Sequence, residues 1–307
     1  MRDFTCFGEN GVQIADAASS SSSASISTTS SGKNGQNLVT CVYQCRLRNF
    51  SCLIVTINWT KSLMGQGLTV QIDDSANQCL CKVEIKPWLF SKKRGFKNVE
   101  VGSKLFDIYW DLANAKFGLS PEPVEGFYFG IVVNQDLLLV LGDMEKEMMR
   151  KMDVSSFSPN VVFVSKREHI FGKKVYSTRA QFCGKGQVHD VLIECDLAGT
   201  NDPCLLIRVD GKTMMQVKHL RWKFRGNYTI LVDGLPVEVY WDVHNWLFGK
   251  LMGEAIFLFQ TCLSAEKMWA STTSRSILDQ SWSSSARRDS HSQGLGFSLV
   301  LCAWKNE

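Results

Sequence analysis

An all-β protein is predicted, built from two tandem, internally duplicated antiparallel meander modules, barrel- or sandwich-like, with short helical turns and one short linker helix. Three observations predict it. Apolar and polar residues alternate with a period of two over short runs, the pattern of strands with one wet face. Turn-forming pairs separate the runs. A stretch of thirteen residues occurs twice.

The alternation is clear in three places. Leu68, Val70 and Ile72 alternate with Thr69, Gln71 and Asp73. Cys81, Val83 and Ile85 alternate with Lys82, Glu84 and Lys86. Phe106, Ile108 and Trp110 alternate with Asp107, Tyr109 and Asp111. Turns are expected at Asp73-Asp74, Arg94-Gly95, Gly102-Ser103, Asp210-Gly211, Gly226-Asn227 and Asp233-Gly234. One longer helix is expected from Asp143 to Met152, with Asp143 as its cap and Met144, Met148 and Met152 on one face. Each module reads as about eight strands. Closed barrels, sandwiches and one fused sheet system stay open as alternatives.

Phe106 to Gly118 aligns without gaps to Val237 to Gly249, with six of thirteen positions identical. About one identity is expected by chance at average composition. The match extends outward, pairing Arg94-Gly95 with Arg225-Gly226 and Val99 and Val101 with Ile230 and Val232. The expected organisation is a disordered Ser-rich segment at 1–37, a first β module at 38–152 ending in the short helix, and a second at 153–307. A flexible Ser-rich insertion is expected within the second, at 271–292.

The 307 residues are 45% hydrophobic, enough for a substantial core. A net charge of +4 is small for this length and argues against a dedicated nucleic-acid binder. The eleven cysteines show no disulfide spacing. Residues 1–15 hold no apolar run of the secretory type, and no stretch approaches the roughly 18 apolar residues of a membrane span. A cytoplasmic or nuclear location without integral membrane association is expected.

Tyr109-Trp110-Asp111 and Tyr240-Trp241-Asp242 each end a strand. The Asp is placed to accept from N–H groups of a following helical turn, which Gly118 or Gly249 closes. Trp110 and Trp241 fall on the inward parity, with Phe117 and Phe248 expected beneath them. These residues read as cap, corner and core plug. The alternative is a paired ligand site using Asp111 and Asp242 with Asn114 and Asn245.

Met1 to Val12, Leu38 to Gln44, Met64 to Gly67, the Tyr109-Trp110-Asp111 segment and Gly294 to Ser298 together resemble a plant family classified only as domain of unknown function eight-six-eight. The resemblance covers nearly the whole chain. It implies a plant source and brings no activity, cofactor or catalytic residue.

No phosphate-cradling loop, nucleophile elbow or zinc-protease motif occurs in the sequence. His189-Asp190 would need Cys183 or Cys195 within hydrogen-bond reach to act as a catalytic pair, so it reads as a surface histidine. Cys41, Cys45, Cys79 and Cys81 read as small apolar residues rather than as a four-thiolate zinc site. No cofactor is expected. The most suggestive feature is basic and aromatic together: Lys86, Trp88, Phe90, Lys92, Lys93, Arg94, Phe96 and Lys97 in one hairpin, and Lys218, His219, Arg221, Trp222, Lys223 and Arg225 in the other. Period-two parity turns the aromatics of both toward the core. Ser290, which comes after Arg287-Arg288, is a candidate phosphorylation site.

A non-catalytic binding or protein-interaction module is therefore expected, with a protein partner or a small apolar ligand. An enzyme of the hydrolase or lyase type using His189, His219 or His244 is the alternative. Single-stranded nucleic acid or an anionic membrane surface, bound through the basic-aromatic hairpins, is a further one.

Overall fold

The structure is a computed structural model and describes residues 36–46, 52–85, 93–151, 160–171, 175–183, 186–196, 203–249, 253–261 and 296–304. The Ser-rich segments, Lys86, Trp88, Lys92, Met152 and Ser290 lie outside the described residues. At the end of the segment 1–37, Gln36 and Asn37 already belong to a strand, because their backbone continues into the adjoining ladder.

The chain is all-β. Its first strands are β1 (Gln36–Arg46), β2 (Leu53–Ser62), β3 (Gly65–Asp73) and β4 (Cys79–Ile85). Then come β5 (Arg94–Val101), β6 (Lys104–Asp111), the short β7 (Lys116–Phe117) and β8 (Pro123–Glu125), β9 (Tyr128–Val133), β10 (Asp136–Leu141) and the helix α1 (Glu145–Lys151). Next are β11 (Asn160–Phe171), β12 (Val175–Ala180), β13 (His189–Asp196), β14 (Cys204–Val209) and β15 (Lys212–Val217). The last elements are β16 (Arg225–Val232), β17 (Leu235–Asp242), the helix α2 (His244–Phe248), β18 (Glu254–Thr261) and β19 (Ser298–Trp304).

One sheet of nine strands runs β16-β17-β18-β19-β11-β1-β2-β3-β4, so it draws on both halves of the sequence. Two sheets of four strands, β10-β9-β6-β5 and β12-β13-β14-β15, accompany it. No sheet closes on itself among the described residues. The pairing is antiparallel apart from β11 with β19. Period-two alternation holds along most of the predicted runs, since Leu68, Val70, Ile72, Cys81, Val83, Ile85, Phe106 and Ile108 are all buried; it breaks at the end of β6, where Trp110 is half-buried and Asp111 is buried.

Two apolar cores result. One joins side chains of β1–β4 to those of β6, β9 and β10. The other joins β12–β15 to β16–β19 and Trp246 of α2. Phe163 of β11 packs against both. On the same strand lies a buried polar group. Lys166 Nζ stands 2.9 Å from Glu122 Oε2 and 2.9 Å from Glu168 Oε1, and donates to the Arg179 carbonyl at 3.3 Å. The Thr178 hydroxyl donates to Glu168. Burial lowers the Lys166 pKa, but the two carboxylates outweigh it and raise it overall, so the ammonium stays charged.

The helix α1 covers the outer face of β9, where Tyr128 and Val132 pack with Leu137 and Met148. Asp143 does not cap it. Its carboxylate accepts from the Gly126 and Phe127 N–H groups at 2.7 and 3.1 Å, tying a loop down instead. Of the predicted methionine face, Met148 is fully buried and Met144 is half-buried against the same cluster.

Asp210-Gly211 and Asp233-Gly234 are two-residue hairpin turns, with φ near +50° and +77° in each. That left-handed pair is what a tight hairpin requires. Arg94-Gly95 and Gly226-Asn227 are not turns: they open β5 and β16. A Cβ on Gly95 would lie 2.1 Å from the Trp110 ring, and one on Gly226 2.3 Å from the Trp241 ring. These glycines make room for a cross-strand indole.

Candidate functional site

The repeated stretches occupy matching positions. Arg94 faces Asp111 and Gly95 faces Trp110 across β5–β6, while Arg225 faces Asp242 and Gly226 faces Trp241 across β16–β17. Arg94 Nε donates to Asp111 at 2.9 Å and Arg225 Nε to Asp242 at 2.7 Å. Asp111 Oδ1 accepts from Ala113 N–H at 3.1 Å, and Asp242 Oδ1 from His244 N–H at 3.0 Å. The Leu112 and Val243 N–H groups donate to the Lys93 and Phe224 carbonyls at 2.8 and 2.9 Å. Each Asp thus clamps an Arg and a backbone N–H just past its strand. Tyr109 packs tilted against Phe96, and the Tyr240 hydroxyl donates to Glu238.

Beyond each Asp the two stretches differ. The second forms α2, whereas the first forms a turn and then β7. Phe248 is 51% exposed and does not plug the core. Trp246 points inward, and two residues along a helix is a rotation of about 200°, so Phe248 points out. Its ring packs edge-on against Phe224 and tilted against His244. Phe117 is half-buried in β7. Gly249 ends the helix by donating its N–H to the Asn245 carbonyl at 2.9 Å, in an extended conformation.

The loop from Lys218 to Phe224, between β15 and β16, overturns the parity reading. Its aromatic is not inside: Trp222 is 87% exposed. Period-two parity applies only where a ladder holds the backbone, and here no ladder exists. Leu220 is fully buried, and its N–H donates to the Pro203 carbonyl at 3.0 Å. His219 has φ +57°, and its carbonyl accepts from the Trp222 and Lys223 N–H groups at 2.9 and 3.0 Å. The Lys223 carbonyl in turn accepts from Trp241 Nε1 at 2.9 Å. The loop is pinned on both sides and holds its indole outward. Lys218, Arg221 and Lys223 are exposed around it, and none makes an ion pair among the described residues. Arg225 caps the Phe224 ring at 5.8 Å. In the other basic stretch, Lys93 just before β5 and Arg94, Phe96 and Lys97 at its start are exposed.

Among the described residues, His189 and His244 have separate surroundings. His189 is buried and does not pair with Asp190. Its Nδ1 lies 2.7 Å from Asp210 Oδ2 and its Nε2 2.9 Å from Asp233 Oδ2. Both carboxylates sit in Asp-Gly turns, those of β14–β15 and β16–β17, so the imidazole staples two hairpins. With a carboxylate on each nitrogen, both nitrogens donate and the ring is an imidazolium. Burial lowers its pKa, but the hydrogen bonds and charges of Asp210 and Asp233 outweigh that and raise it. A group raised in the folded state contributes stability in full below its unfolded value of about 6.5, and loses it as pH rises through the folded value. The unfolding temperature is accordingly expected to fall from about pH 6.5 upward, and in His189→Gln that part of the pH dependence disappears. Calorimetric melts of both proteins across this range check it, and parallel pH profiles would refute the staple. His244 packs against both the Phe224 and Phe248 rings, and its Nδ1 lies 3.2 Å from Asn245 Oδ1.

The cysteines described are free thiols. Burial raises the Cys41 thiol well above its ordinary range and pushes Cys45 up to about 12, so neither is a thiolate near neutrality. Among the described residues no group of three or more His, Cys, Asp or Glu side chains is placed to hold a metal. No helix among them is long and apolar enough to cross a membrane.

A family model described as a plant protein of unknown function (DUF868) matches residues 34–305. No curated protein and no solved structure matches the chain.

Proposed function

The chain belongs to the plant family of unknown function DUF868, and from that premise we propose that it is a non-catalytic binding module whose contact surface is the basic-aromatic loop 218–225, with an anionic partner. The observation that carries this reading is Trp222, held outward on a pinned backbone among exposed cations. Leaving a Trp in water is costly unless something covers it, and exposed large aromatics are enriched where partners bind. The apolar interiors support an outer surface over an enclosed ligand, since side chains from facing sheets meet in shared clusters. The enzyme alternative loses support because His189 is occupied on both nitrogens and His244 lies among phenyl rings.

Two modules related by duplication, 38–152 and 153–307, are part of the proposal. The matching Arg–Asp clamps, Gly–Trp pairs and post-strand hydrogen bonds support it.

The test uses the full chain against three anionic probes: oligouridylate, polyglutamate and vesicles containing phosphatidylserine. At least one probe should bind. The triple variant Arg221→Ala, Trp222→Ala, Lys223→Ala should bind it at least about tenfold more weakly, with unchanged thermal stability. No binding to any of the three, or equal binding by the triple variant, overturns the reading.

A further inference from the structure

We propose that the partner of this loop is the surface of an anionic lipid bilayer, which Trp222 enters while the surrounding cations contact headgroups. This rests on the binding-module reading and narrows it to one partner.

The first ground is how charge is distributed. From Lys212 to Val232 the sequence holds five Lys or Arg and no Asp or Glu. From Lys86 to Val99 it again holds five and none. Of the 34 Lys and Arg in the chain, those ten fall in two short stretches of sequence, and the remaining 24 are outnumbered by 30 Asp and Glu. The small net charge therefore conceals two basic segments on an otherwise acidic protein. Lys212, Lys218, Arg221, Lys223 and Arg225 are all exposed. An extended polyanion that wraps the protein would meet the acidic remainder. A bilayer touches only what projects, and the acidic remainder is screened over roughly 10 Å of salt solution.

The second ground is shape. Trp222 is the most exposed large apolar side chain among the described residues. A base-stacking platform lies flat along a groove, and a protein interface needs a complementary surface of roughly 800 Å² per partner. A projecting indole fits neither well. It fits the interfacial layer of a membrane, where an amphipathic ring is stabilised at headgroup depth and flanking Lys or Arg pair with anionic lipids. Phe248, half exposed and packed on Phe224 beside the loop, adds apolar surface at its base.

The third ground is rigidity. Leu220 anchors the loop, His219 closes its turn, and Trp241 holds its far end through the Lys223 carbonyl. A wedge already in its bound shape loses little conformational entropy on insertion.

The experiment is vesicle co-sedimentation with the full chain, comparing pure phosphatidylcholine with phosphatidylcholine carrying about 30% phosphatidylserine, in parallel with oligouridylate and polyglutamate titrations. Binding to the anionic vesicles alone is expected, weakening as salt rises. Arg221→Ala and Lys223→Ala should each reduce it about fivefold, and Trp222→Ala about tenfold. Lys61→Ala with Lys82→Ala, exposed lysines away from the loop, should leave it unchanged. Tryptophan emission should shift to the blue on vesicle addition in the parent and not in Trp222→Phe. Vesicle binding insensitive to Trp222 and Arg221 overturns the proposal. So does binding to RNA or polyglutamate without binding to vesicles, which leaves the broader reading standing. Binding to none of the three sinks both.

Discussion

Lys166→Met is expected to cost about 3–5 kcal/mol of unfolding free energy. Lys166 is nearly inaccessible, and so is Glu168 beside it on β11. Removing the ammonium takes away the cation 2.9 Å from the buried Glu168 carboxylate, to which the Thr178 hydroxyl still donates. Glu122 has an easier alternative, since it is part-exposed and can turn to water. The decisive comparison is Lys166→Met with Glu168→Gln. A Gln at 168 still accepts from Thr178 but carries no charge, so the double variant should recover most of the lost stability. Urea denaturation of the parent, both single variants and the double variant gives the cycle. If the double variant is as unstable as Lys166→Met, the loss comes from the packing of the lysine stem and not from the lost ion pair.

Gly226→Ala is expected to cost about 2–4 kcal/mol, although it adds a single methyl group on an edge strand. The new Cβ would meet Trp241 Cζ2 at 2.3 Å, well inside contact distance. The indole is buried and donates to the Lys223 carbonyl, so it cannot turn aside without leaving the core and the loop together. Phe lacks the outer ring that collides. Trp241→Phe with Gly226→Ala should therefore be markedly more stable than the two single losses predict, by about 1 kcal/mol or more. Gly95→Ala should behave likewise against Trp110. Gly211→Ala is the contrast: its Cβ would meet nothing within 4 Å, and the penalty is confined to the strain of a positive φ, about 1 kcal/mol. Thermal melts that ranked Gly211→Ala as the most damaging of the three would show that these glycines serve chain direction and not ring packing.

Those glycines also mark where local sequence signals mislead. Gly95 and Gly226 align with each other, yet both look like turns because glycine beside a polar residue is the commonest local turn signal. Their cause is the indole facing them across the ladder, at Trp110 and Trp241. His189 meets the same limit. Its neighbour Asp190 is legible, whereas its partners Asp210 and Asp233 come from two separate hairpin turns. Asp143 stands where a cap for the nearest helix would, but its carboxylate reaches back to Gly126 and Phe127.

The candidate surface is half legible. Its residues and their doubling stand in the sequence. Two inferences hide its character: strand parity does not extend into a loop, and net charge says nothing of whether charges are evenly spread. Composition reports the sum of charges but not their separation, and separation is what a partner feels.

The sequence by itself determined that this chain is all-β, where many of its strands alternate, and that one stretch recurs with its Tyr, Trp, Asp and Gly in step. These are local properties, written in the period of the side chains and in direct comparison of residues. Only the tertiary structure decided that one nine-stranded sheet runs through both halves, that Lys166 is buried among carboxylates, and that Trp222 faces water. Each of those depends on contacts between residues far apart along the chain, and burial is a property of what surrounds a side chain, not of the side chain itself.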